Sequence, residues 1–270
     1  MNGILDWRAE MDANLRREND WLALAGLFWL QRGFNTFGSS PDCDIVLPAP
    51  APRLLGAFEF DGARITLHVD VGQSVQLNGE SLQSAAPLRT DRDGSPSCVE
   101  FGALRMIAIY RSNRVGVRLW DNSRSQRRDF PPRLWFPVSE QFCLPATYTP
   151  YPVPMKVSVP NVLGELEDDI MHGYVSFKFG GKSHRLEVSE LDDGRLYIQF
   201  MDLTNGVQTY PSGRYHYTDA VTEDGRIILD FNKAYNPPCA FTDYATCTFA
   251  PKQNHLKIAV EAGELNQPSH

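Results

Sequence analysis

The chain has 270 residues, with 26 Lys and Arg against 33 Asp and Glu, giving a formal net charge of −7. Hydrophobic residues make up 42% and charged residues 22%, a composition that supports a real core and excludes a disordered tail or a collagen-like fibre. The acidic balance argues against nucleic-acid binding, because a phosphate backbone demands a basic face.

The chain opens with Asp6, Arg8, Glu10, Asp12, Arg16, Arg17, Glu18 and Asp20. A secretory signal needs an apolar stretch there, so none is read. Asp6 to about Asn19 is rich in helix formers and predicts a helix capped by Asp6. Asp20 is placed to cap a second short helix, Trp21 to Leu30, apolar nearly all round and therefore buried. That run is half the roughly 20 residues a membrane span needs, so no membrane partner is expected. Gly33 closes this N-terminal helical segment, residues 1–33.

From Phe34 the pattern changes to short strands. Gly56–Gly62 and Ala63–Val69 alternate around Asp61-Gly62, a hairpin signal. Ser74–Gly79 ends in the Asn78-Gly79 turn. Leu104–Tyr110 and Arg114–Trp120 flank Ser112-Asn113. Such spacing predicts a sandwich or barrel over residues 34–125. Arg105, Arg111, Arg114, Arg118, Arg124, Arg127, Arg128 and Arg133 crowd one stretch, opposed by Asp121 and Asp129. They form either an anion- or partner-binding face or outward strand positions followed by a charged loop.

Residues 126–160 predict a packed connector. Its prolines (among them Pro145, Pro150, Pro152, Pro154 and Pro160) supply no N–H and disfavour long ladders, while Trp135, Phe136 and Phe142 give it apolar weight. Glu165, Glu167, Asp168 and Asp169 then read as an exposed acidic turn. Residues 161–270 predict a second β unit, with strands at Tyr174–Phe179, His184–Val188, Leu196–Met201 and Ile227–Phe231 punctuated by Gly180-Gly181, Asp193-Gly194, Asn205-Gly206 and Asp224-Gly225.

Thr36-Phe-Gly-Ser-Ser-Pro-Asp-Cys-Asp-Ile-Val-Leu47, Leu77-Asn-Gly-Glu-Ser-Leu82 and Val99-Glu-Phe-Gly102 resemble a forkhead-associated (FHA) domain. That resemblance implies an eleven-stranded sandwich. It does not carry the phosphothreonine chemistry. The family's arginine falls on Ser39, and its serine-arginine-x-histidine signature falls on Pro52-Arg53-Leu54-Leu55, so the charge-assisted clamp is missing. A second resemblance spans nearly the whole chain. Trp21–Leu30, Tyr210-Pro-Ser-Gly-Arg214, Leu229–Cys247 and Glu261-Ala-Gly-Glu264 are similar to the bacterial and archaeal family catalogued as domain of unknown function 1684, which implies no activity. The expected fold class is mainly β: an N-terminal helical segment, an FHA-like β-sandwich, then a second antiparallel β unit.

The segment Asp230–Cys247 gathers polar side chains around Pro237-Pro238, as site loops do. The candidate ligand-binding residues are Arg214, His216, Tyr217, Asn232, Tyr235, Asn236, Cys239, Asp243 and Cys247. Arg214 suits a carboxylate or phosphate, the asparagines suit orienting it, and His216 suits proton transfer near neutral pH. The alternative is a structural loop, with asparagines satisfying backbone groups and Arg214 paired to Asp230 or Asp243. Cys239 and Cys247, with His216, form a weak zinc candidate. Their C-x₇-C spacing is that of neither a zinc knuckle nor a thioredoxin-like motif. No other cofactor is expected, and no P-loop, G-x-G-x-x-G or G-x-S-x-G occurs.

The odd, scattered cysteines suit a reducing compartment, so the protein is read as cytoplasmic. The leading expectation is a protein that binds a small anionic, carboxylate-bearing molecule in its C-terminal β domain, with or without catalysis. The alternative is a non-enzymatic interaction module that uses the sandwich and the Arg105–Arg133 region to hold a protein partner.

Overall fold

The computed structural model describes residues 2–267. The chain forms two compact units: Asn14–Phe130 is one, and the chain up to Ala13 together with the chain from Pro131 onward is the other. Helix α1 (Asn2–Leu15) begins ahead of Asp6, which therefore lies within it and is not its cap.

In the unit of residues 14–130, the Asp20 carboxylate accepts from the Trp21 N–H at 2.6 Å, but it caps a single 3-10 turn, Trp21–Ala23. The expected second helix does not form. Leu24–Trp29 is strand β1. A short run that is apolar on every side suits a buried strand as well as a buried helix. Here Gly26 and the aromatic pair Phe28-Trp29 tip the balance. There follow β2 (Gly33–Gly38), β3 (Ile45–Val46), β4 (Gly56–Phe60), β5 (Ile65–Val69), β6 (Val75–Leu77), β7 (Glu80–Leu82), β8 (Ala85–Leu88), β9 (Cys98–Phe101), β10 (Leu104–Arg111) and β11 (Arg114–Asp121).

The strands make a six-stranded sheet, β1-β11-β10-β9-β6-β7, and a five-stranded one, β3-β2-β4-β5-β8. Phe37, Phe58 and Leu67 from the smaller sheet share one buried cluster with Val99, Met106 and Leu119 from the larger, so the sheets pack as a sandwich. Each such side chain contributes roughly 1.5–3 kcal/mol by leaving water. Ser112 and Asn113 sit at φ 46° and 62°, the left-handed pair that a two-residue β10–β11 hairpin requires. The arginine run is largely drawn into contacts within this unit. Arg111 pairs with Asp91 at 2.7 Å. Arg114 lies 3.9 Å over the Trp29 ring, and Arg118 is buried and lies 5.5 Å from the Trp21 ring. Arg124 and Arg127 donate to the carbonyls of Leu24 and Asn122.

The other unit contains β12 (Cys143–Pro160), β13 (Leu166–Phe179), β14 (Lys182–Glu190), β15 (Arg195–Phe200), β16 (Arg214–Ala220) and β17 (Arg226–Asp230). Their order, β16-β15-β14-β13-β12-β17, is antiparallel throughout and nearly closes into a barrel. Residues 143–160, expected within a connector, are thus the longest strand. The prolines are accommodated because the β12–β13 ladder is interrupted between Pro150 and Met155, where Pro152 and Pro154 fall. The expected acidic turn is also shorter than read. Asn161–Gly164 turns, while Glu167, Asp168 and Asp169 already belong to β13, where Asp168 pairs with Lys156 at 2.6 Å.

After β17 the chain makes only short 3-10 turns and irregular coil, yet it fills the barrel. Phe231, Ala234, Leu256, Val260 and Ala262 join Val175, Leu186, Ile198, Phe200 and Leu229 in one buried cluster. The molecule is mainly β, with a short N-terminal helix, a β-sandwich and a second antiparallel β unit. Among the described residues no helix is long and apolar enough to cross a membrane.

Candidate functional site

Strand alternation on β16 separates the candidate residues into two groups. Arg214 and His216 point into the barrel. Tyr215 and Tyr217 point out of it, towards Tyr197 and Tyr235.

Arg214 is completely buried. Its guanidinium donates to Asp202 at 2.6 Å, to the Val260 carbonyl at 2.9 Å and to the Ala262 carbonyl. Asp202 also accepts from the Val260 N–H at 3.1 Å and from the Thr204 hydroxyl at 2.7 Å. The arginine therefore pairs with Asp202, not with Asp230 or Asp243, and it binds the C-terminal coil to the barrel. Burial lowers its pKa, against the opposing pull of Asp202. His216 lies 6.2 Å from the Phe231 ring, and neither ring nitrogen has a hydrogen bond of good geometry. Burial pushes its pKa down to about 4, with Asp230 and the Lys233 backbone opposing, so the ring is neutral at pH 7.

The loop asparagines satisfy backbone groups. Asn232 accepts from the Ser139 N–H and donates to the Ser139 carbonyl, both at 2.9 Å. Asn236 donates to the Leu265 carbonyl at 2.8 Å. Its own N–H donates to Glu264, a buried carboxylate gripped by Arg133 at 2.9 and 2.5 Å. Asp243 is exposed.

Of the outward group, Tyr217 and Tyr235 line a cleft. Tyr217 stacks on Tyr235 at 6.2 Å and 23° and lies 4.9 Å from Tyr197, which sits opposite it across the β15–β16 ladder. Tyr215 and Tyr235 exchange backbone hydrogen bonds at 2.8 and 2.9 Å, fixing the coil beside the strand. Trp7 and Met11 of α1, Arg195, Thr218, Asp219 and Lys233 complete the walls around about 350 Å³. The Arg195 guanidinium is 5.4 Å from the Tyr217 ring centre. Burial raises the Tyr235 phenol well above its ordinary range, so it stays protonated.

Next to this wall stand Cys239 and Cys247. The Cys239 N–H donates to the Cys247 sulfur at 3.3 Å, which sets the two thiols beside each other. Tyr210 donates to the Cys239 carbonyl at 2.9 Å and also reaches its thiol, while Tyr215 reaches the Cys247 thiol. His216 is on the opposite face of β16, so it does not join the cysteines. Among the described residues no group of His, Cys, Asp and Glu is placed to hold a metal ion.

A family model described as Protein of unknown function (DUF1684) matches residues 128–265, just over half of the chain. The protein belongs to the DUF1684 family. The chain is also similar to an uncharacterized protein of Haloarcula marismortui whose solution NMR structure is known: identity is 30%, coverage 54% of this chain and 82% of that one, and the TM-score 0.44. Comparison with curated proteins finds no match.

Within the DUF1684 segment, the residues that look most chemical in sequence divide three ways. Arg214, Asn232, Asn236 and Glu264 hold the coil onto the barrel. Tyr217 and Tyr235 face a cleft. Cys239 and Cys247 form a pair. The cleft residues Trp7, Met11, Arg195, Thr218, Asp219 and Lys233 lie outside the candidate set. Sequence marked neither Arg195 nor Lys233, since Arg195 meets Tyr217 only through the β15–β16 register and Lys233 arrives on the coil after β17. Trp7 and Met11 were not marked either, because they join this unit from far away in sequence.

Proposed function

We propose that the DUF1684 unit binds a small anionic molecule, carboxylate-bearing and with an apolar or aromatic body, in the cleft of Trp7, Tyr217, Lys233 and Tyr235. The observation that carries this reading is the coincidence of stacked tyrosines with two cations, Lys233 and Arg195, around a cavity of about 350 Å³. Asp219 is the carboxylate of that lining among the described residues, and Arg195 is paired with Asp193 at 2.8 Å, so Lys233 is the cation offered to a ligand. A half-open cleft with aromatic walls and a few convergent polar groups is the usual form of a ligand site. The rings would cover the body of the ligand and the ammonium its carboxylate. Nothing in the cleft identifies a nucleophile and base in mutual contact, so binding is the reading and catalysis is not assigned.

The test is thermal stabilisation by a panel of aliphatic and aromatic carboxylates. Lys233→Ala and Tyr217→Ala should keep the wild-type melting temperature without ligand and lose the stabilisation that a panel member gives. If no carboxylate stabilises the wild type, or if the variants respond as it does, the reading fails.

The sandwich of residues 14–130 carries a second reading, that of an FHA-like module. Its support is eleven strands in sheets of six and five. The loops after Gly38 and at Arg53 meet, with the Ser39 N–H donating to the Pro52 carbonyl at 2.7 Å. With Ser39 in place of the family's arginine and no histidine after Arg53, a phosphothreonine clamp is not part of this proposal. A protein partner on this sandwich would be held by charge and lost in salt. A pull-down empty at low ionic strength counts against it. The cytoplasmic reading rests on the scattered free cysteines, and fractionation of cells tests it.

A further inference from the structure

We infer that Cys239 and Cys247 form a redox-active dithiol that exchanges with small disulfides, Cys239 attacking and Cys247 resolving. The inference is independent of the carboxylate cleft.

The geometry has several parts. Cys239 and Cys247 are brought together across a loop of irregular chain. The Cys239 N–H points at the Cys247 sulfur at 3.3 Å, which orients that sulfur towards its partner. The Tyr210 hydroxyl donates to the Cys239 carbonyl at 2.9 Å, which holds the phenol beside Cys239. Cys239 is partly exposed and Cys247 is buried. A solvent-reachable attacking sulfur backed by a buried second sulfur is the arrangement that exchange chemistry needs.

The proton distribution agrees with this order. Hydrogen bonds from Cys247 and Tyr210 lower the Cys239 pKa against the desolvation that would raise it. The Cys247 pKa is raised, first by the hydrogen bond with Cys239 and then by burial. The first proton thus leaves the pair readily and the second with difficulty. By contrast, burial and the nearby Asp230 raise Cys143, although it is the more exposed thiol.

The steps balance. The Cys239 thiolate attacks one sulfur of RSSR, the S–S bond breaks, and RS⁻ leaves and takes the proton that Cys239 had released. Cys247 then attacks the Cys239 sulfur of the mixed disulfide and gives up its own proton. The second RS⁻ leaves and is protonated. Two protein thiols are oxidised to one disulfide, and RSSR is reduced to two RSH.

The experiment treats the full-length protein with oxidised glutathione, quenches it in acid and maps the peptides by mass spectrometry without reduction. The wild type should yield a peptide pair linked through Cys239 and Cys247. Cys247→Ser should stop at a glutathione mixed disulfide on Cys239. Initial modification at Cys239 should outpace that at exposed Cys143 about tenfold at pH 7, the reverse of their order of exposure. Tyr210→Phe should slow Cys239 and move the midpoint of its rate–pH profile upward, which loss of packing alone would not do. The inference is overturned if Cys239 stays reduced in the wild type while Cys143 reacts. It is equally overturned if a folded Cys247→Ser protein takes no glutathione at Cys239. Should that variant fail to fold, the linked wild-type peptide decides the question alone.

Discussion

Arg133 and Glu264 are 131 residues apart in the chain and joined by a two-pronged ion pair whose side chains are both buried. Glu264 accepts further from the Asn236 N–H at 2.7 Å and from the Gln267 amide at 3.1 Å. One carboxylate therefore fixes the start of the unit's long return and both ends of its coil. Removing it strands a guanidinium in the interior.

Glu264→Leu is expected to cost about 3–5 kcal/mol, the range for a buried pair that loses one partner. Urea denaturation measures it. A loss below about 1 kcal/mol would mean that Arg133 finds water or another acceptor. Arg214→Met should behave similarly through Asp202. For both, the melting temperature should fall whether or not a ligand is present.

His216 makes stability depend on pH. In the unfolded chain its pKa is the ordinary 6.5, and in the fold burial lowers it to about 4. The unfolded state thus binds the proton first. The stability that the neutral ring confers is fully present above about pH 6.5 and is lost progressively down to about pH 4, a total of about 3 kcal/mol. Unfolding free energies from pH 4 to 8 for the wild type and His216→Leu should diverge in slope over that window. Parallel curves would show that another group sets the acid limb.

Trp7 lines the cleft and meets Trp135 edge-on at 5.6 Å. A carboxylate bound beside it should change the intrinsic fluorescence. Trp7→Phe should weaken or remove that change while keeping most of the affinity, since the cations are untouched. An unchanged signal in the variant would place the reporter at another tryptophan.

Gly38 leaves no room for a side chain. A Cβ there would stand 2.3 Å from the Arg53 carbonyl oxygen, and backbone yields poorly. Gly38→Ala should destabilise the sandwich by about 1–3 kcal/mol, as overpacking does. A neutral result in a thermal melt would mean that the two loops separate without cost.

Much of the β architecture was legible. Dipeptides that favour left-handed backbone, such as Asp61-Gly62, Asn78-Gly79 and Gly180-Gly181, mark the hairpins. Alternation marks β4, β5, β10 and β13. The helix expected over Trp21–Leu30 failed because a wholly apolar run has no period to read. The connector expected over 126–160 failed because a proline penalty applies only where the lost N–H has a partner, and β12 places Pro152 and Pro154 at a break in its ladder. The candidate site was legible as a place but not as a set of roles. Polar residues packed around prolines announce either a ligand or a coil without a sheet to satisfy its backbone, and Asn232 and Asn236 serve the coil. Which side of β16 each residue faces needed the register with β15.

The unit that carries the DUF1684 match is discontinuous along the chain. The matched segment starts at residue 128, but residues as far forward as Trp7 and Arg8 pack within the same unit. Arg8 donates to the Phe136 and Asn232 carbonyls at 2.9 and 3.2 Å. An expression fragment cut to the family boundary would keep every strand of the barrel and still arrive incomplete. It would bare Trp135, leave those carbonyls unanswered and open one wall of the cleft. Supplying the first helix as a separate peptide should restore what the cut removed, which makes the protein a natural candidate for fragment complementation.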